Sequence, residues 1–394
     1  MKMNVDTTLI DAARHILPVI RDHNAEAERE RRLSRAVLNA LTDAGPLRMW
    51  TPRSLGGLEV DPLTSARVIE EVTGADSAAG WTLVNPLTYA FFCARLPDEG
   101  AEEIYRNGPH ALIAGPFHPP MEATPVAGGY RLTGRAPFAS NCHDATWIAR
   151  TAMVMDGDTP RLSANGAPEV LLAFVPIAAC EIIDTWYVMG MRGTGSDGMA
   201  MTDLFVPQAR TFPLVPEFTP GSHYQGPLYQ FSAMGNVAAT FPPVVLAIAR
   251  QALDAVYTLA QGKTPFASTT LLRERATAQG KLAQAEATLW SARAFLYDTL
   301  GETWEQTLAG EPPSLGQRAD LLLAVAHATS SAAKVVELAY NVAGTSGIYT
   351  RNPLERHFRD MQVLKQHGFA SENRYETVSQ VYFGLPPEFA PVAL

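Results

Sequence analysis

The sequence is poor in cysteine, in clustered histidine and in net positive charge. Its three cysteines, Cys93, Cys142 and Cys180, are too few and too scattered for a disulfide framework, and none forms a C-x-x-C pair. The nine histidines never fall in H-x-x-x-H or H-E-x-x-H spacing, so no metal centre is expected. Lys and Arg number 31 against 40 Asp and Glu, a formal net charge of -9, which argues against a nucleic-acid partner. A G-x-S-x-G nucleophile elbow is missing too. The first twenty residues carry no signal-peptide apolar core, being interrupted by Asp6, Asp11, Arg14 and His15. The stretch read as most apolar, 170–179, is shorter than the roughly 20 residues a bilayer requires. A soluble cytoplasmic protein without a membrane partner is the expectation.

What is present falls into three textures. Residues 1–110 read as a helical domain, with stripes at Leu9, Ala12, Ala13 and Ile16, at Ala36, Leu38, Leu41 and Ala44, and at Ala66, Ile69, Val72 and Thr73. Gly45, Gly56-Gly57 and Pro86 punctuate it. Residues 111–218 turn to short β-rich runs separated by Gly, Pro, Asn and Asp. No helix-length segment lies between them, which favours an antiparallel barrel or sandwich over a parallel sheet. Residues 219–394 are helical again. Leu282, Ala285, Leu289, Ala292 and Leu296 step by three and four, as do Leu322, Val325, Thr329, Ala332, Val336 and Ala339. Those are bundle stripes, with Ala and Thr permitting close approach.

One string matches a pattern that its context rejects. Gly193-Thr-Gly195-Ser196-Asp-Gly198 is literally G-x-G-x-x-G, but Met199–Val206 after it reads as a strand, not the helix a dinucleotide pyrophosphate needs. A glycine-rich turn between two strands, still able to border a ligand, is the better reading. His110, His118 and His143 fall in or near loops of the β-rich region and read singly as polar loop residues.

The order of textures, together with local strings, resembles the acyl-CoA dehydrogenase superfamily over nearly the whole chain. Thr51-Pro-Arg-Ser-Leu-Gly-Gly57 is similar to its early P-x-x-x-G-G turn, and Ile69–Trp81 to the helix that follows. Gly129–Asn141 resembles the segment whose final Ser or Thr lies against a flavin ring. Met189–Ser196, Leu204–Pro207, Gly344–Gly347 and Pro353–Asp360 continue the match in order. The resemblance implies an α+β fold with an N-terminal helical domain, a central β-barrel and a C-terminal four-helix bundle.

The departures from the family pattern decide the activity. A dehydrogenase needs a carboxylate base after the R-D segment or early in the first bundle helix. Here the first place reads Lys365-Gln366-His367-Gly368, and 233–247 holds no acidic residue. Loss of the base would forfeit roughly 10²–10⁴-fold of rate. A His in the base position together with R-G-T-G-S instead resembles the flavin-dependent monooxygenase branch. That branch takes reduced flavin from a separate NAD(P)H-dependent reductase, forms a flavin hydroperoxide with O2 and hydroxylates a small aromatic compound, here an indole or phenol type.

The resemblance implies His367 and Ser140 as catalytic residues. It implies Ser140, Asn141, Arg192, Gly195, Ser196, Gly344, Thr345 and Ser346 as flavin contacts, and a homotetramer. An unperturbed His pKa of about 6.5 suits proton handling near neutrality. The family's R-x-x-F-G pyrophosphate motif is degraded at 262–267, which leaves FAD and FMN both open or a flavin loosely bound; of the two, FAD is the favoured expectation and FMN the alternative. Trp81, Phe117 and Phe241 are the substrate-pocket candidates, with Tyr89, Phe91 and Phe92 as further apolar lining. Two rivals remain: an acyl-CoA dehydrogenase with a displaced base, and a non-catalytic flavin-binding scaffold.

Overall fold

The computed structural model describes residues 6–163 and 166–393. Residues 1–5 and 164–165, within the expected first and second domains, and residue 394 lie outside the described residues. Six helices come first: α1 (Thr7–Asp22), α2 (Asn24–Glu30), α3 (Arg35–Ala44), α4 (Pro62–Thr73), α5 (Ser77–Phe92) and α6 (Asp98–Tyr105). The starts of α1, α3, α4 and α5 carry capping side chains. Ser34, Asp61 and Asp76 accept from the third backbone N–H of α3, α4 and α5, and Pro62 opens α4 where no N–H partner is needed. Gly45 ends α3 at φ +103, a conformation costly to any residue with a Cβ. Pro86 lies inside α5, not at its end. The helix tolerates the lost N–H because it is buried almost throughout and held by its neighbours.

The strands are β1 (Ile113–Ala114), β2 (Met121–Val126), β3 (Gly129–Ala136), β4 (Trp147–Asp156), β5 (Thr159–Pro160), β6 (Val170–Pro176), β7 (Glu181–Ile183), β8 (Gly198–Pro207) and β9 (Thr211–Pro213). They form one sheet in the order β7-β8-β3-β2-β4-β6-β9, with β1 and β5 also on β4. This corrects the expected barrel: β7 and β9 are its edges, and the sheet is open among the described residues. Nor is it wholly antiparallel. β1 and β2 both run parallel to β4, Ile113 beside Trp147 and Met121 beside Ala152. The chain crosses from β1 to β2 while remaining on one edge of β4, a geometry that single-strand periodicity does not encode. One face packs Trp147, Ala149, Leu172 and Phe174 against the helical core; the other closes over Leu132, Ile148, Ala152 and Met201.

Three long helices follow, α7 (Ala233–Gly262), α8 (Ala276–Leu308) and α9 (Leu315–Ala343), then α10 (Pro353–Leu364) and α11 (Arg374–Tyr382). Every residue of the two expected bundle stripes is buried. The bundle contacts join α7 to α9 and α8 to α9, with α10 seated on both α7 and α9. Two segments, Ala233–Gly262 and Leu315–Ile348, are long and apolar enough to cross a membrane, which the emphasis on 170–179 overlooked. In each, 61% of the most apolar window is buried inside the protein, so their apolarity serves the bundle core.

Candidate active site

The sheet side of the site is two loops stitched together. The loop after β3 carries Ser140 and Asn141; the loop before β8 carries Thr194, Gly195 and Ser196. Asn141 N–H donates to the Thr194 carbonyl at 2.8 Å, and Ala139 N–H to that of Asp197 at 2.9 Å. Asn141 (φ +62) and Gly195 (φ +50) take left-handed conformations. A Cβ at Gly195 would lie 3.0 Å from the Arg31 carbonyl oxygen, so Gly is needed there for space as well as for φ.

Four side chains then form one directed chain. Thr194 gives its hydroxyl proton to the Met191 carbonyl at 2.8 Å. Its contact with Ser196 at 2.6 Å must therefore be donated by Ser196, and the Ser140–Ser196 contact at 2.7 Å by Ser140. Trp81 Nε1–H donates to Ser140 Oγ at 3.0 Å. Ser140 thus has its proton committed and one acceptor position left. Asn141 Oδ1 lies 2.9 Å from the Thr82 hydroxyl, whose single proton it shares with the Ala78 carbonyl at 2.8 Å, while its Nδ2 is buried with no partner.

Next to these loops, Asp197 Oδ1 accepts N–H groups of Thr185 and Trp186 at 2.7 Å each, and Oδ2 lies 2.6 Å from His143 Nε2. Burial raises the Asp197 pKa, but these bonds outweigh it and leave the carboxyl below its usual range. Cys142, His143 and Asp197 are close enough to hold a metal ion. Burial pushes the Cys142 thiol up to about 12, and its S–H is directed at the Gly195 carbonyl at 3.5 Å. Together these bonds clasp the loop after β3 to the loop before β8.

The helix side is aromatic. α5 presents Trp81, α7 presents Phe241, and the turn after α10 presents His367 and Phe369. Trp81 meets Phe241 edge-on at 5.8 Å and His367 at 5.5 Å. His367 stacks on Phe241 at 4.9 Å and on Phe369 at 5.6 Å. His367, expected as a catalytic residue, is wedged among three rings. Burial pulls its pKa down to about 4, so the imidazole is neutral at pH 7. Phe369 N–H donates to Nδ1 at 3.4 Å, which leaves the ring proton on Nε2.

A buried ion network ties this turn to the sheet. Asp360 on α10 accepts the Met191 N–H at 2.6 Å, and Arg356 pairs with Asp76, the cap of α5, at 2.6 Å. Burial raises the Asp360 pKa to about 6. Arg356 and Asp360, one turn apart on α10, therefore fix α5, α10 and the 191–196 loop to one another. His357, on the same helix, is half-buried, with a pKa lowered to about 4 by desolvation and then by Arg356.

Other expected residues fall elsewhere. Phe117 stacks on Tyr89 at 5.5 Å and leans on Phe92 at the same distance, two turns along α5 from Trp81. Tyr89, Phe91 and Phe92 are core. Arg192 is over a third exposed, 3.9 Å from Glu28, and its Nε has no hydrogen bond. Gly344, Thr345 and Ser346 form the turn after α9, where Lys263 Nζ donates to the Ala343 carbonyl at 2.5 Å. Within this chain no hydrogen bond joins that turn to Ser140 among the described residues. A cavity of about 470 Å³ between Glu70, Arg250, Trp290 and Arg293 lies on the bundle and touches none of these residues. Thr82, Thr194 and Phe369 were not singled out from sequence. Thr194, inside R-G-T-G-S, carried the only readable signal.

The sheet-side groups suit a flavin. The partnerless Asn141 amide and the free acceptor position on Ser140 offer a donor and an acceptor at a buried polar edge, beside an apolar aromatic wall. The acyl-CoA dehydrogenase N-terminal domain family matches residues 7–99 and the C-terminal domain family residues 239–372. An indole-3-acetate monooxygenase from Pseudomonas putida is 33% identical over 362 residues, 92% of this chain and 90% of that protein. The oxygenase component of an FADH(2)-dependent resorcinol hydroxylase from a Rhizobium species is 25% identical, covering 96% of this chain and 95% of its own. The structure of XiaF from a Streptomyces species, in complex with FADH2 and glycerol, superposes with a TM-score of 0.87 at 24% identity, over 96% of each chain.

Proposed function

The chain belongs to the flavin-dependent monooxygenase branch of the acyl-CoA dehydrogenase superfamily, and from that premise we propose that it is the oxygenase component of a two-component system in the cytoplasm. It receives reduced flavin, FAD in preference to FMN, from a separate NAD(P)H-dependent reductase and uses O2 to hydroxylate a small aromatic substrate of indole or phenol type. The observation that carries this reading is His367. A neutral imidazole, desolvated between Trp81 and Phe241, stands where a dehydrogenase requires a carboxylate.

Bound reduced flavin supplies the electrons that activate O2; the chain supplies everything else. Ser140 holds an acceptor lone pair that matches an N–H of a reduced flavin, because its own proton is given to Ser196. Asn141 Nδ2 offers a donor to a ring carbonyl. His367 keeps its proton on Nε2 and can hold the reacting oxygen in place by donating a hydrogen bond from that atom while itself remaining neutral. Trp81, Phe241 and Phe369 exclude water, which keeps the activated oxygen from being lost as hydrogen peroxide. Copies assemble as a homotetramer on α7–α10 packed as a four-helix bundle. There the 344–346 turn and Arg192 serve the flavin's phosphate end across a subunit boundary.

The test mixes the protein with NADH, a flavin reductase, flavin, O2 and an indole. Hydroxylated product should form only when the reductase is present. Desaturation of an acyl-CoA without O2 would instead support the displaced-base dehydrogenase, and flavin binding without turnover the scaffold. Light scattering at micromolar concentration checks the tetramer.

A further inference from the structure

Two polar residues on α5 and α7, the helices that carry Trp81 and Phe241, have no part in the chemistry above. Thr88 lies on α5 seven residues beyond Trp81, hence on the same face and about 10 Å along the axis. Asn236 lies on α7 on the far side of Phe241. The Thr88 hydroxyl donates to Asn236 Oδ1 at 3.1 Å. Asn236 is 1% exposed, and its Nδ2 has no partner. Leaving such an amide unsatisfied costs about 1–3 kcal/mol, so an orphan here needs a reason.

Between the two ends, the pattern of accessibility marks an opening. α5 is buried throughout except at Asn85, and α7 is buried from Ala233 to Ala249 except at Val237. Asn85 shares the face of Trp81 and Thr88; Val237 is one turn from Phe241 on the same side. Accessible surface therefore sits between the His367 ring cluster and the Thr88–Asn236 pair. Neither residue of that pair takes part in an ion pair among the described residues.

We propose that Asn236, oriented by Thr88, is the specificity-determining residue of the substrate site. It donates through Nδ2 to a hydrogen-bond acceptor on a side chain of the aromatic substrate, at the end of this accessible strip remote from His367. The inference rests on the monooxygenase reading for the identity of the ligand. The substrate class is an arene with an oxygen acceptor on a short side chain. The acceptor is needed because Nδ2 can only donate, and the spacing because Thr88 stands two turns from Trp81. Asn236 is a positioning residue: it selects and orients the ring and does not touch the reacting atoms.

The experiment compares equilibrium binding and turnover of two ring-matched probes, indole-3-acetamide and 3-propylindole. The parent protein is expected to bind the amide about 10- to 100-fold more tightly, the range of one buried hydrogen bond whose loss leaves an unpaired group. Asn236→Leu should bring that ratio close to one, and its melting temperature should hold or rise because the orphan amide is gone. Thr88→Val, which keeps the volume, should lower the ratio part of the way and serves if Asn236→Leu fails to fold. Equal binding of the two probes by the parent overturns the proposal, as does a ratio unaffected by either variant or failure of both probes to bind. Because binding is measured without flavin, discrimination that persists while no reduced-flavin-dependent oxygenation occurs sinks the monooxygenase reading and leaves Asn236 standing.

Discussion

The two walls of the site are made of opposite materials. The sheet wall is a set of short polar side chains on loops, Ser140, Asn141, Thr194 and Ser196, each held by a neighbour within 3 Å. The helix wall is a set of rings on or beside long helices, held by shape. Trp81 belongs to both: its N–H serves Ser140 and its ring serves Phe241 and His367. The contrast teaches a division of labour. Directional bonds on loops suit recognition of a cofactor edge, and desolvating rings on rigid elements suit substrate and proton control.

Removing the proton carrier from the helix wall should have the largest effect. His367→Ala is expected to lower product per reduced flavin by roughly 10²-fold, with hydrogen peroxide rising in compensation, while reduced-flavin binding persists on the sheet wall. Product and peroxide yields measured together check it; unchanged coupling would put proton handling elsewhere. The sheet wall should fail in the opposite sense. Ser196→Ala cuts the hydroxyl chain and frees the Ser140 proton, so reduced-flavin affinity should fall about 10-fold, with coupling per bound flavin less affected. Titration of reduced flavin under anaerobic conditions reads this directly.

Trp81→Phe sharpens the comparison, since it keeps the ring and deletes the N–H. About a few-fold loss in flavin affinity with little change in ring-substrate affinity is expected. A larger loss for the substrate would mean the two walls are not separable. The smallest effect is on acid stability. The folded-state pKa of His367, about 4, lies below the unfolded value of about 6.5, so the unfolded chain binds more protons between those limits. Stability should therefore fall as pH drops from about 6.5 to 4, with no His367 contribution to the slope above pH 7. His367→Phe should flatten that slope. His357 acts with the same sign, so some slope should remain.

Much of the helix wall was legible. Trp81 and Phe241 stand in apolar helical periods, and His367 follows a recognisable R-D segment, Arg359-Asp360. What could not be read was His367's surroundings: a Lys-Gln-His-Gly string looks like a surface turn. Only packing against α5 and α7 makes it a desolvated, neutral imidazole. The sheet wall was half legible. Ser140 and Ser196 were found, but the direction of their hydrogen bonds depends on Thr194 spending its proton on Met191, a contact with no sequence signature.

By itself the sequence determined the helix–sheet–helix order, most helix starts and the absence of a dehydrogenase base. These are local facts: caps, periods and residue identity act within a turn or two of chain. The tertiary structure alone decided that the sheet stays open, with β1 and β2 parallel to β4. It also decided that Pro86 lies within a helix, and that Asn236 is buried with an unpaired donor beside Thr88. Each depends on residues far apart in the chain, Thr88 and Asn236 being 148 positions apart. Sheet order, burial and hydrogen-bond satisfaction are properties of neighbours in space, and no local pattern records who those neighbours will be.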